Sequence, residues 1–345
     1  MEHIGIDLGA RHSHVVVISS DGASRRWKVP TCELPQWLSR RAPGRVVMEA
    51  CTQSPAIARA SNGAKHETRV VPGQLVRMLG VGARGIKTDE RDAEALAQAS
   101  VRTAELPSVH LCSEKSRAQR QMIGARALLL KARGSIARNI KTWLRSELIV
   151  VRGRASTTSF CETVRKIALE KDLGLPLAIE TMLDTFEHLT RQVAKLDEQI
   201  EAVVEQDAVC KKLMGVGGVG EKVSLAFTSQ VDDPKRFRSA DALASYLALV
   251  PGEATTGGKV KRTGAIKAGP KYLKALLVQA AWSMWRCRPN DPMVIWAQRI
   301  ADKRGKRIAV IALARKLATV MWAIWRHDGT YDPKRAANIV PSGTS

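Results

Sequence analysis

The stretch that decides the fold is residues 4–18, IGIDLGARHSHVVVI, in which a single acid, Asp7, interrupts an apolar run. The segments HIGIDL and HVVVIS are rich in β-branched residues, so they predict two strands of a hairpin connected at Gly9–Arg11. An ionised carboxylate in apolar surroundings is costly unless a cation compensates it. The sequence therefore indicates that Asp7 has a cationic partner, either a metal ion or a basic group.

Strand and helix patterns mix through the first hundred residues. Further strands are predicted in SRRWKVP, in GRVVMEA, which contains an apolar run that ends at Glu49, and in HETRVVP. Helices are predicted at Leu34–Leu38, after the segment TQSP, and from Thr88, which is a good N-cap for TDERDAEALAQAS. Residues 1–107 are therefore predicted to form an α/β domain.

Beyond residue 110 the strand patterns fade and helical periodicity dominates. Apolar residues alternately three and four positions apart predict a coiled-coil seam, formed by Ile179, Met182, Phe186, Leu189, Val193, Leu196, Ile200 and Val203. Such a seam needs a partner helix, which is either the stretch 114–148 of the same chain or the same helix in a second copy. Residues 108–208 are accordingly predicted to be a helical, coiled-coil linker domain.

The chain is strongly basic: its 345 residues include 55 Lys and Arg against 33 Asp and Glu, a net charge of +22. The excess is concentrated after Pro251, where 18 basic residues accompany five acidic ones. A single cluster such as Lys303–Arg307 is as consistent with a solvated helix face as with a binding surface. The whole excess, however, favours a polyanionic partner, most simply nucleic acid, docked on the C-terminal part.

Cysteine usage and hydropathy narrow the class of protein further. The six cysteines show no Cys-x-x-Cys spacing, so the sequence predicts neither a zinc site nor a disulfide framework. The N-terminus has no long apolar core of a signal peptide, and no apolar run is long enough to predict a membrane span. A cytoplasmic protein is expected.

Aromatic and histidine residues give weaker signals. Trp282 and Trp285, like Trp322 and Trp325, lie three positions apart, which at helical spacing predicts core packing rather than a platform for nucleic-acid bases. His12 and His14 flank the first hairpin and are candidates for a contact with nucleic acid, although histidines in loops usually have no such specific role.

A glycine-rich segment, LMGVGGVGEKVSLAF, spells GxGxxG with Gly215, Gly217 and Gly220. A dinucleotide-binding fingerprint follows a strand, whereas a helical pattern precedes this one, so a nicotinamide site is disfavoured. The segment better fits a helix-hairpin-helix type of turn, in which backbone N–H groups at a helix N-terminus contact nucleic-acid phosphates. Gly217 and Gly220 are the predicted contact points.

Four acids predict a metal site. Asp89 and Asp92 lie three positions apart in KTDERDA, so a helix presents both on one face, while Asp7 lies in the first predicted strand and Glu49 ends a later one. Oxygen ligands suit Mg²⁺, and paired Mg²⁺ ions activate the attacking oxygen and stabilise the leaving one in phosphodiester cleavage. Asp89 and Asp92 alone are also explained as acids that complement a helix dipole, but that reading leaves Asp7 and Glu49 unexplained.

The segments GIDLG, VVMEA and KTDERDA resemble the DEDD tetrad of insertion-sequence transposases with a RuvC-like N-terminal domain, the family guided by a bridge RNA or seek RNA. The segments LMGVGGVGEKVSLAFTSQVDDPKRFRSADALASYLALVP and TTGGKVKRTGAIKAGPKYLKALLVQAAW are similar to the second domain of that family, so the resemblance covers residues 3–330. It implies a ribonuclease-H-type fold for residues 1–107 and a mostly α transposase domain for residues 209–330, followed by a disordered tail, 331–345.

The same resemblance implies an activity and its partners. It implies a recombinase that cuts and rejoins DNA, with Mg²⁺ held by Asp7, Glu49, Asp89 and Asp92. It further implies a noncoding guide RNA and a homo-oligomer, either a dimer or a tetramer. The expected location is the bacterial cytoplasm, at the nucleoid.

The nucleophile of the family is a serine in a block similar to SSGGK, and here the block reads ATTGGK. The resemblance therefore places the reacting hydroxyl on Thr255, or else on Thr256, where the β-branched carbon makes it more hindered. Both threonines are also consistent with ordinary loop residues. The basic residues of this block are expected to hold DNA phosphates, and they are Lys259, Lys261, Arg262, Lys267, Lys271 and Lys274.

Two other classes of protein stay open on the sequence. GIDLG also resembles the first phosphate loop of actin/sugar-kinase-type ATPases, although the chain lacks a second acidic, glycine-rich phosphate loop and such a kinase has no need of a charge of +22. A catalytically silent nucleic-acid-binding protein is the other alternative, because threonine replaces the serine of the family.

Overall fold

The structure is a computed structural model that describes residues 1–76, 89–151, 159–256, 259–265 and 269–338, with the backbone alone at 253–256 and 259–265. It divides into two compact units, Met1–Cys112 and Ser113–Ser345. The finer division of the chain into 1–107, 108–208, 209–330 and 331–345 stays a prediction. The six cysteines are free thiols.

The first unit is a mixed α/β structure. Its described elements are β1 (His3–Asp7), β2 (His12–Ile18), β3 (Ser24–Pro30), α1 (Leu34–Ser39), β4 (Arg45–Glu49), α2 (Ser54–Gly63), β5 (Glu67–Val71), α3 (Gly73–Val76) and α4 (Asp89–Arg102). The strands form one sheet in the order β3-β2-β1-β4-β5. β1 to β3 are antiparallel neighbours, whereas β1, β4 and β5 run parallel. This order is compatible with the expected ribonuclease-H-type fold.

Each strand predicted from the sequence is present, and the first two are joined at Gly9–Arg11 as expected. One local prediction differs. His12 and His14 lie within β2 rather than in a loop: His14 pairs with Asp7 of β1 and Lys28 of β3, whereas His12 pairs with Pro30 of β3. The predicted N-cap, Thr88, lies outside the described residues.

Helices cover both faces of the sheet. On one face Ile6 packs with Leu38 of α1 and Ile57 of α2. On the other face Val16 packs with Ala93 of α4. Because successive strand residues point to opposite faces, the neighbours of Ile6 along β1 face α4.

Gly5 allows α4 to lie directly on β1. A Cβ atom added at Gly5 would lie 2.1 Å from the carbonyl oxygen of Ala93 and 2.4 Å from the backbone nitrogen of Ala97, so no side chain fits there. Farther along α4, Ser100 Oγ lies 2.8 Å from His3 Nδ1. These contacts make α4 antiparallel to β1 and place its first turn beside the end of β1, where Asp7 lies.

The second unit is mostly helical. Its described elements are α5 (Glu114–Ser146), α6 (Ser159–Glu170), α7 (Leu177–Glu205), α8 (Ala208–Met214), α9 (Glu221–Val231), α10 (Ala240–Tyr246), β6 (Pro251–Thr256), β7 (Lys259–Ala265), α11 (Lys271–Cys287), α12 (Pro292–Arg304), α13 (Lys306–Arg326) and α14 (Pro333–Asn338). The strands β6 and β7 form an antiparallel hairpin. The predicted mostly α character of the C-terminal part agrees with these elements.

The partner of α7 within the chain is α5. The two helices are antiparallel, since Arg126 donates to Asp197 at 2.6 Å while Leu144, at the far end of α5, packs with Leu183. The buried positions of α7 are Ile179, Leu183, Phe186, Val193, Ile200 and Val204. Leu183 and Val204 replace Met182 and Val203 of the predicted seam, because α7 also contacts α6, α8 and α9 and presents a broader face than a two-helix seam. A coiled coil with a second copy stays a prediction.

The helix α13 passes as a membrane span by length and composition, contrary to the expectation that no such stretch exists. Within the protein, 72% of its apolar window is buried, which is typical of a core helix. Its Trp322 donates from Nε1 to the carbonyl oxygen of Pro234 at 2.8 Å. Trp282, Trp285 and Trp325 pack against the same core, in agreement with the prediction that the tryptophans are packing residues.

The expected disordered tail differs from the structure over part of its length. Pro333–Asn338 form α14, and Ala336 is buried in the core of the second unit. The small side chain of Ala336 lets this short helix pack closely against α12. Residues 339–345 lie outside the described part of the chain.

Candidate active site

The first two acids of the predicted tetrad lie side by side at the end of the sheet. Asp7 ends β1 and Glu49 ends β4, and the register of these parallel strands, with Ile6 beside Met48, makes the two acids neighbours. Neighbouring strands lie about 4.8 Å apart. Both acids occupy the face of the sheet that α4 covers, since Ile6 and Met48 pack on the opposite face. The sheet therefore brings together two residues that are 42 positions apart in the chain.

The other two acids lie in the first turn of α4. Asp89 is exposed, whereas Asp92 is only 5% exposed. Both belong to the end of α4 that lies next to Asp7, because Gly5 and His3 hold the rest of the helix along β1. The fold thus gathers all four predicted acids at one edge of the first unit.

The acids interact electrostatically. The pKa of Asp7 is raised from 3.8 to about 6, chiefly by burial and in addition by the negative charges of Asp89, Asp92 and Glu49, while His14 opposes this shift. A shift of this sign means that the pocket lacks enough positive charge to hold every acid ionised. It is the electrostatic property expected of a cation-binding site in the absence of its cation.

Asp92 has a buried carboxylate oxygen without a hydrogen-bond partner in the protein. Its Oδ1 atom is fully buried and makes no hydrogen bond with protein. A buried carboxylate oxygen without a donor is costly, so native proteins pair such atoms with a donor or a cation. A divalent cation fits this donor set, because carboxylate oxygens are the ligands that Mg²⁺ prefers. The acids are not a preformed cage, since no three His, Cys, Asp or Glu side chains in the described ranges are arranged to hold an ion.

Glu49 is positioned by a close contact with the backbone at Gly73. A Cβ atom added at Gly73, the first residue of α3, would lie 2.7 Å from Glu49 Oε1. The carboxylate therefore rests against the backbone at the start of α3. This contact directs Glu49 toward the face of the sheet on which α4 lies.

His14 is a residue of this region that sequence reasoning missed. It pairs with Asp7 across β1 and β2, its side chain is 17% exposed, and its Nδ1 lies 3.9 Å from Glu90 Oε1. The predicted strand HVVVIS begins at His14, but the sequence alone does not show that this residue lies beside Asp7. The available signal was its alternation with Val15 and Val17, which predicts that His14 shares a face with Asp7 once the hairpin register is known.

The predicted nucleophile block lies in the hairpin of the second unit. Thr255 pairs with Val260 and Thr256 pairs with Lys259, so both threonines end a strand rather than lie in a free loop. Lys261 and Arg262 also belong to β7. Only the backbone is described at these positions, and Lys267 lies outside the described residues. Lys271 and Lys274 lie in the first turn of α11, with Lys271 exposed.

The glycine-rich segment connects two helices, as expected for a helix-hairpin-helix type of turn. Gly220 is the N-cap of α9 and has open space around it. Gly217 instead lies against the side chain of Arg288. Gly218, which sequence reasoning passed over, has a φ of +79° and lies against the backbone of Ala280. The preceding element is the helix α8, so the context of a dinucleotide fingerprint is absent from the described turn.

Replacement of Asp7 by Asn is expected to stabilise the metal-free protein. The carboxyl of Asp7 binds its proton more tightly in the folded chain, with a pKa of about 6 against 3.8, so stability falls as the pH rises from about 4 to 6. Above this window the loss is about 3 kcal/mol, since one pKa unit corresponds to about 1.4 kcal/mol. Urea unfolding in EDTA should show Asp7→Asn more stable at pH 7.5 by up to this amount.

Below about pH 4, where the carboxyl is protonated in both states, the two proteins should converge. A difference that does not change with pH would contradict this electrostatic account. Asp21→Asn is the control, because Asp21 is an exposed acid in the same unit that lies outside the cluster of four acids and accepts a hydrogen bond from the backbone nitrogen of Ala23.

Comparisons with known proteins agree with this geometry. Residues 4–148 match a family model for DEDD transposases of the IS110 type, described as a transposase. Residues 210–293 match a second model, described as the transposase IS116/IS110/IS902 family. The first match contains all four acids and the second contains the β6–β7 hairpin.

Three curated relatives extend the similarity over most of the chain. A probable family 20 transposase of Pseudomonas aeruginosa is 29% identical and covers 96% of this chain and 99% of its own. The transposase for insertion sequence element IS1111A of Coxiella burnetii is 27% identical, covering 84% and 79%. The transposase for IS1328 of Yersinia enterocolitica is 24% identical, covering 93% and 96%.

The two family models match in the same order as the two units, and the similarity to the three relatives covers 84–96% of this chain and 79–99% of the relatives. Neither comparison favours an actin/sugar-kinase-type ATPase. The chain therefore belongs to the DEDD transposases of insertion sequences, in the IS110 family, and acts on DNA.

Proposed function

We propose that the chain cuts and rejoins DNA strands at the ends of its insertion sequence, with Asp7, Glu49, Asp89 and Asp92 as the acids that hold Mg²⁺. The observation that carries this proposal is the buried Oδ1 of Asp92, which lacks a protein partner within a cluster that raises the pKa of Asp7. Bound Mg²⁺ would supply activation of the attacking oxygen and stabilisation of the leaving one.

The contribution of the chain itself is to hold the acids in place. Asp7 and Glu49 end adjacent parallel strands, which are rigid positions, and Asp92 belongs to a helix that lies on β1 without an intervening side chain. Sites built on strands and helices hold their geometry better than sites on loops. The low exposure of Asp92 also keeps water away from one side of the cluster.

We further propose Thr255 as the nucleophile, with Thr256 as the alternative. In this step the threonine oxygen forms a bond to phosphorus, its proton passes to solvent, and the displaced DNA oxygen leaves with the bonding electron pair and takes up a proton. The reverse exchange on a second strand rejoins the DNA. Support comes from the position of both threonines at the end of β6, and from the resemblance of the block ATTGGK to the serine-containing block of the family.

The basic residues near this hairpin are proposed to contact DNA phosphates. They are Lys259, Lys261, Arg262, Lys267, Lys271 and Lys274, together with the backbone at Gly217 and Gly220. The net charge of +22 supports a polyanionic partner. The open space at Gly220, the N-cap of α9, supports a backbone contact there.

A guide RNA, a dimeric or tetrameric assembly and a location at the nucleoid in the cytoplasm are proposed from the family resemblance. The basic excess supports binding of both RNA and DNA. A catalytically silent DNA-binding protein is the competing proposal, and the substitution of threonine for serine is the observation in its favour.

The whole-protein test uses the purified chain with DNA that carries the element ends and RNA transcribed from the flanking DNA. Joined strands are expected in Mg²⁺ and not in EDTA, and a covalent protein–DNA band should survive denaturation. DNA that shifts on a native gel without product or covalent band would favour the silent binder. Equal product in EDTA would contradict the metal-binding role of the acids.

A further inference from the structure

Beside the acids the sheet carries two basic side chains in register with them. The antiparallel pairing places His14 of β2 opposite Asp7 of β1, and Lys28 of β3 opposite His14. With Glu49 beside Asp7, four strands contribute one residue each to a single row across the sheet. We name Glu49, Asp7, His14 and Lys28 the cross-strand row.

The row lies on one face. Val16, two residues after His14, packs on α4, and Arg26, two residues before Lys28, pairs with Glu94 of α4 at 2.9 Å. Since residues two apart share a face, His14 and Lys28 face the same side as the acids. With a strand spacing of about 4.8 Å, Lys28 lies about 10 Å from Asp7 at the backbone, which is within reach of one DNA strand that crosses the sheet.

The charge of the row changes sign along it. Glu49 and Asp7 are acids, His14 follows, and Lys28 carries a positive charge at the open edge strand β3. Arg26 is already engaged by Glu94, whereas Lys28 is exposed and makes no ion pair with any carboxylate in the described part of the chain. A groove lined by His14, Arg26, Lys28 and Glu90 opens at this position. The row therefore has a cationic end that the fold of this unit does not use.

Hydrogen bonds hold the row rigid. Ser13 Oγ lies 2.8 Å from Thr31 Oγ1, which donates to the carbonyl oxygen of Gly9 at 2.8 Å. The backbone nitrogen of Thr31 also donates to the carbonyl oxygen of Arg11 at 2.9 Å. These bonds fasten the β1–β2 turn to the end of β3. The backbone positions of His14 and Lys28 are consequently fixed relative to Asp7 before any ligand binds.

We propose that His14 and Lys28 seat the reacting DNA strand: Lys28 pairs with a backbone phosphate next to the scissile one, and the imidazole N–H of His14 donates to the scissile phosphate. This inference rests on the proposed function, because it assigns the acids to DNA strand cleavage. Lys28 is a binding residue and His14 is both a binding and a positioning residue. Neither role requires a change of protonation.

A role for His14 limited to relieving the repulsion among the acids is the competing account. It predicts that loss of His14 changes stability and leaves the DNA contacts as they were. The two accounts are separated by measurements on the DNA rather than on the protein.

The test uses a chemical double-mutant cycle. Wild type, Lys28→Gln and His14→Gln are assayed on element-end DNA in which single phosphates near the cleavage position are replaced, one at a time, by neutral methylphosphonates. Wild type should lose roughly 10- to 100-fold in cleavage at one or two positions, as expected when a hydrogen bond to a charged group is removed. Lys28→Gln should show this loss already on unmodified DNA. It should show no further loss when the phosphate that Lys28 contacts is replaced by a methylphosphonate.

Salt dependence gives a second readout. Lys28→Gln should reduce the slope of log affinity against log salt by about one, because one phosphate contact is lost. Arg25→Gln is the matched control, since Arg25 is an exposed basic residue of the same strand on the opposite face. It should leave both the slope and the methylphosphonate pattern unchanged.

The outcomes are distinguishable. If Lys28→Gln and His14→Gln each lose further activity at the same methylphosphonate positions as wild type, the inference is overturned while the proposed function stands. If His14→Gln alters stability but shows the same methylphosphonate pattern as wild type, His14 is a structural residue, and the proposed contact of His14 with the scissile phosphate is overturned. If Asp92→Asn retains cleavage activity, the proposed function itself is overturned.

Discussion

Replacement of Asp92 by Asn is expected to lower the rate of DNA strand cleavage by at least about 10³-fold, because a metal ligand is replaced by a neutral amide in a site where the metal ions stabilise both reacting oxygens. Binding of DNA should stay within about twofold, since the basic residues rather than the acids supply the phosphate contacts. Single-turnover cleavage in saturating Mg²⁺, together with a gel shift on the same DNA, measures both quantities.

Asp92 is the sharpest position for this test. Among the four acids it is the one that is fully buried, and its Oδ1 has no protein partner. Asn has the same shape, so the packing of α4 on β1 is kept. Removal of one negative charge should also lower the pKa of Asp7, because Asp92 is one of the charges that raise it.

Glu94→Gln is the matched control on the same helix. It removes one negative charge from α4 and breaks an exposed ion pair with Arg26, which is worth less than about 1 kcal/mol. Its cleavage rate should stay near that of wild type. If Asp92 served only to complement the dipole of α4, Asp92→Asn would lose roughly 0.3–1 kcal/mol of stability and keep its activity, which is the result that would exclude the metal site.

The sheet of the first unit could be predicted almost completely from local patterns. Each strand is a short run of β-branched residues between turn residues, and both the turn at Gly9–Arg11 and the start of α2 follow from local chemistry. Patterns of this kind report which residues face a core. They also placed Asp7 in the first strand and Glu49 at the end of a later one, while the structure shows that β1, too, ends at its acid.

The neighbours of the acids could not be predicted in the same way. That His14 and Lys28 share a row with Asp7 depends on the register of two strand pairs, and a shift of one residue would turn each side chain to the other face. The buried state of Asp92 likewise depends on Gly5, which lets α4 approach β1. Such contacts between distant segments carry no local signature.

The helical part shows the same limit. The periodicity of α7 predicted an apolar face but left open whether α5 or a second copy covers it. The contact between Arg126 and Asp197 selects α5 as its partner within the chain. In α14, the burial of Ala336 overrides a polar composition that alone predicts disorder.

Thr255→Ala is expected to abolish strand joining and the covalent protein–DNA band, a loss of at least about 10³-fold, because removal of a nucleophile leaves only binding and electrostatic contributions. Thr255→Ser should retain or raise the rate, since a primary hydroxyl is less hindered than the one on a β-branched carbon. Measurement of the covalent band after denaturation separates bond formation from DNA binding.

Thr256→Ala is the matched control, one residue along the same strand and paired with Lys259 instead of Val260. It should keep the covalent band if Thr255 is the nucleophile. The opposite pattern, with Thr255→Ala active and Thr256→Ala inactive, would transfer the role to Thr256. A covalent band formed by the double variant would show that neither hydroxyl reacts. The absence of a band from wild type under conditions of full DNA binding would favour the silent binder. The acids and the basic surface would then be intact without a competent nucleophile.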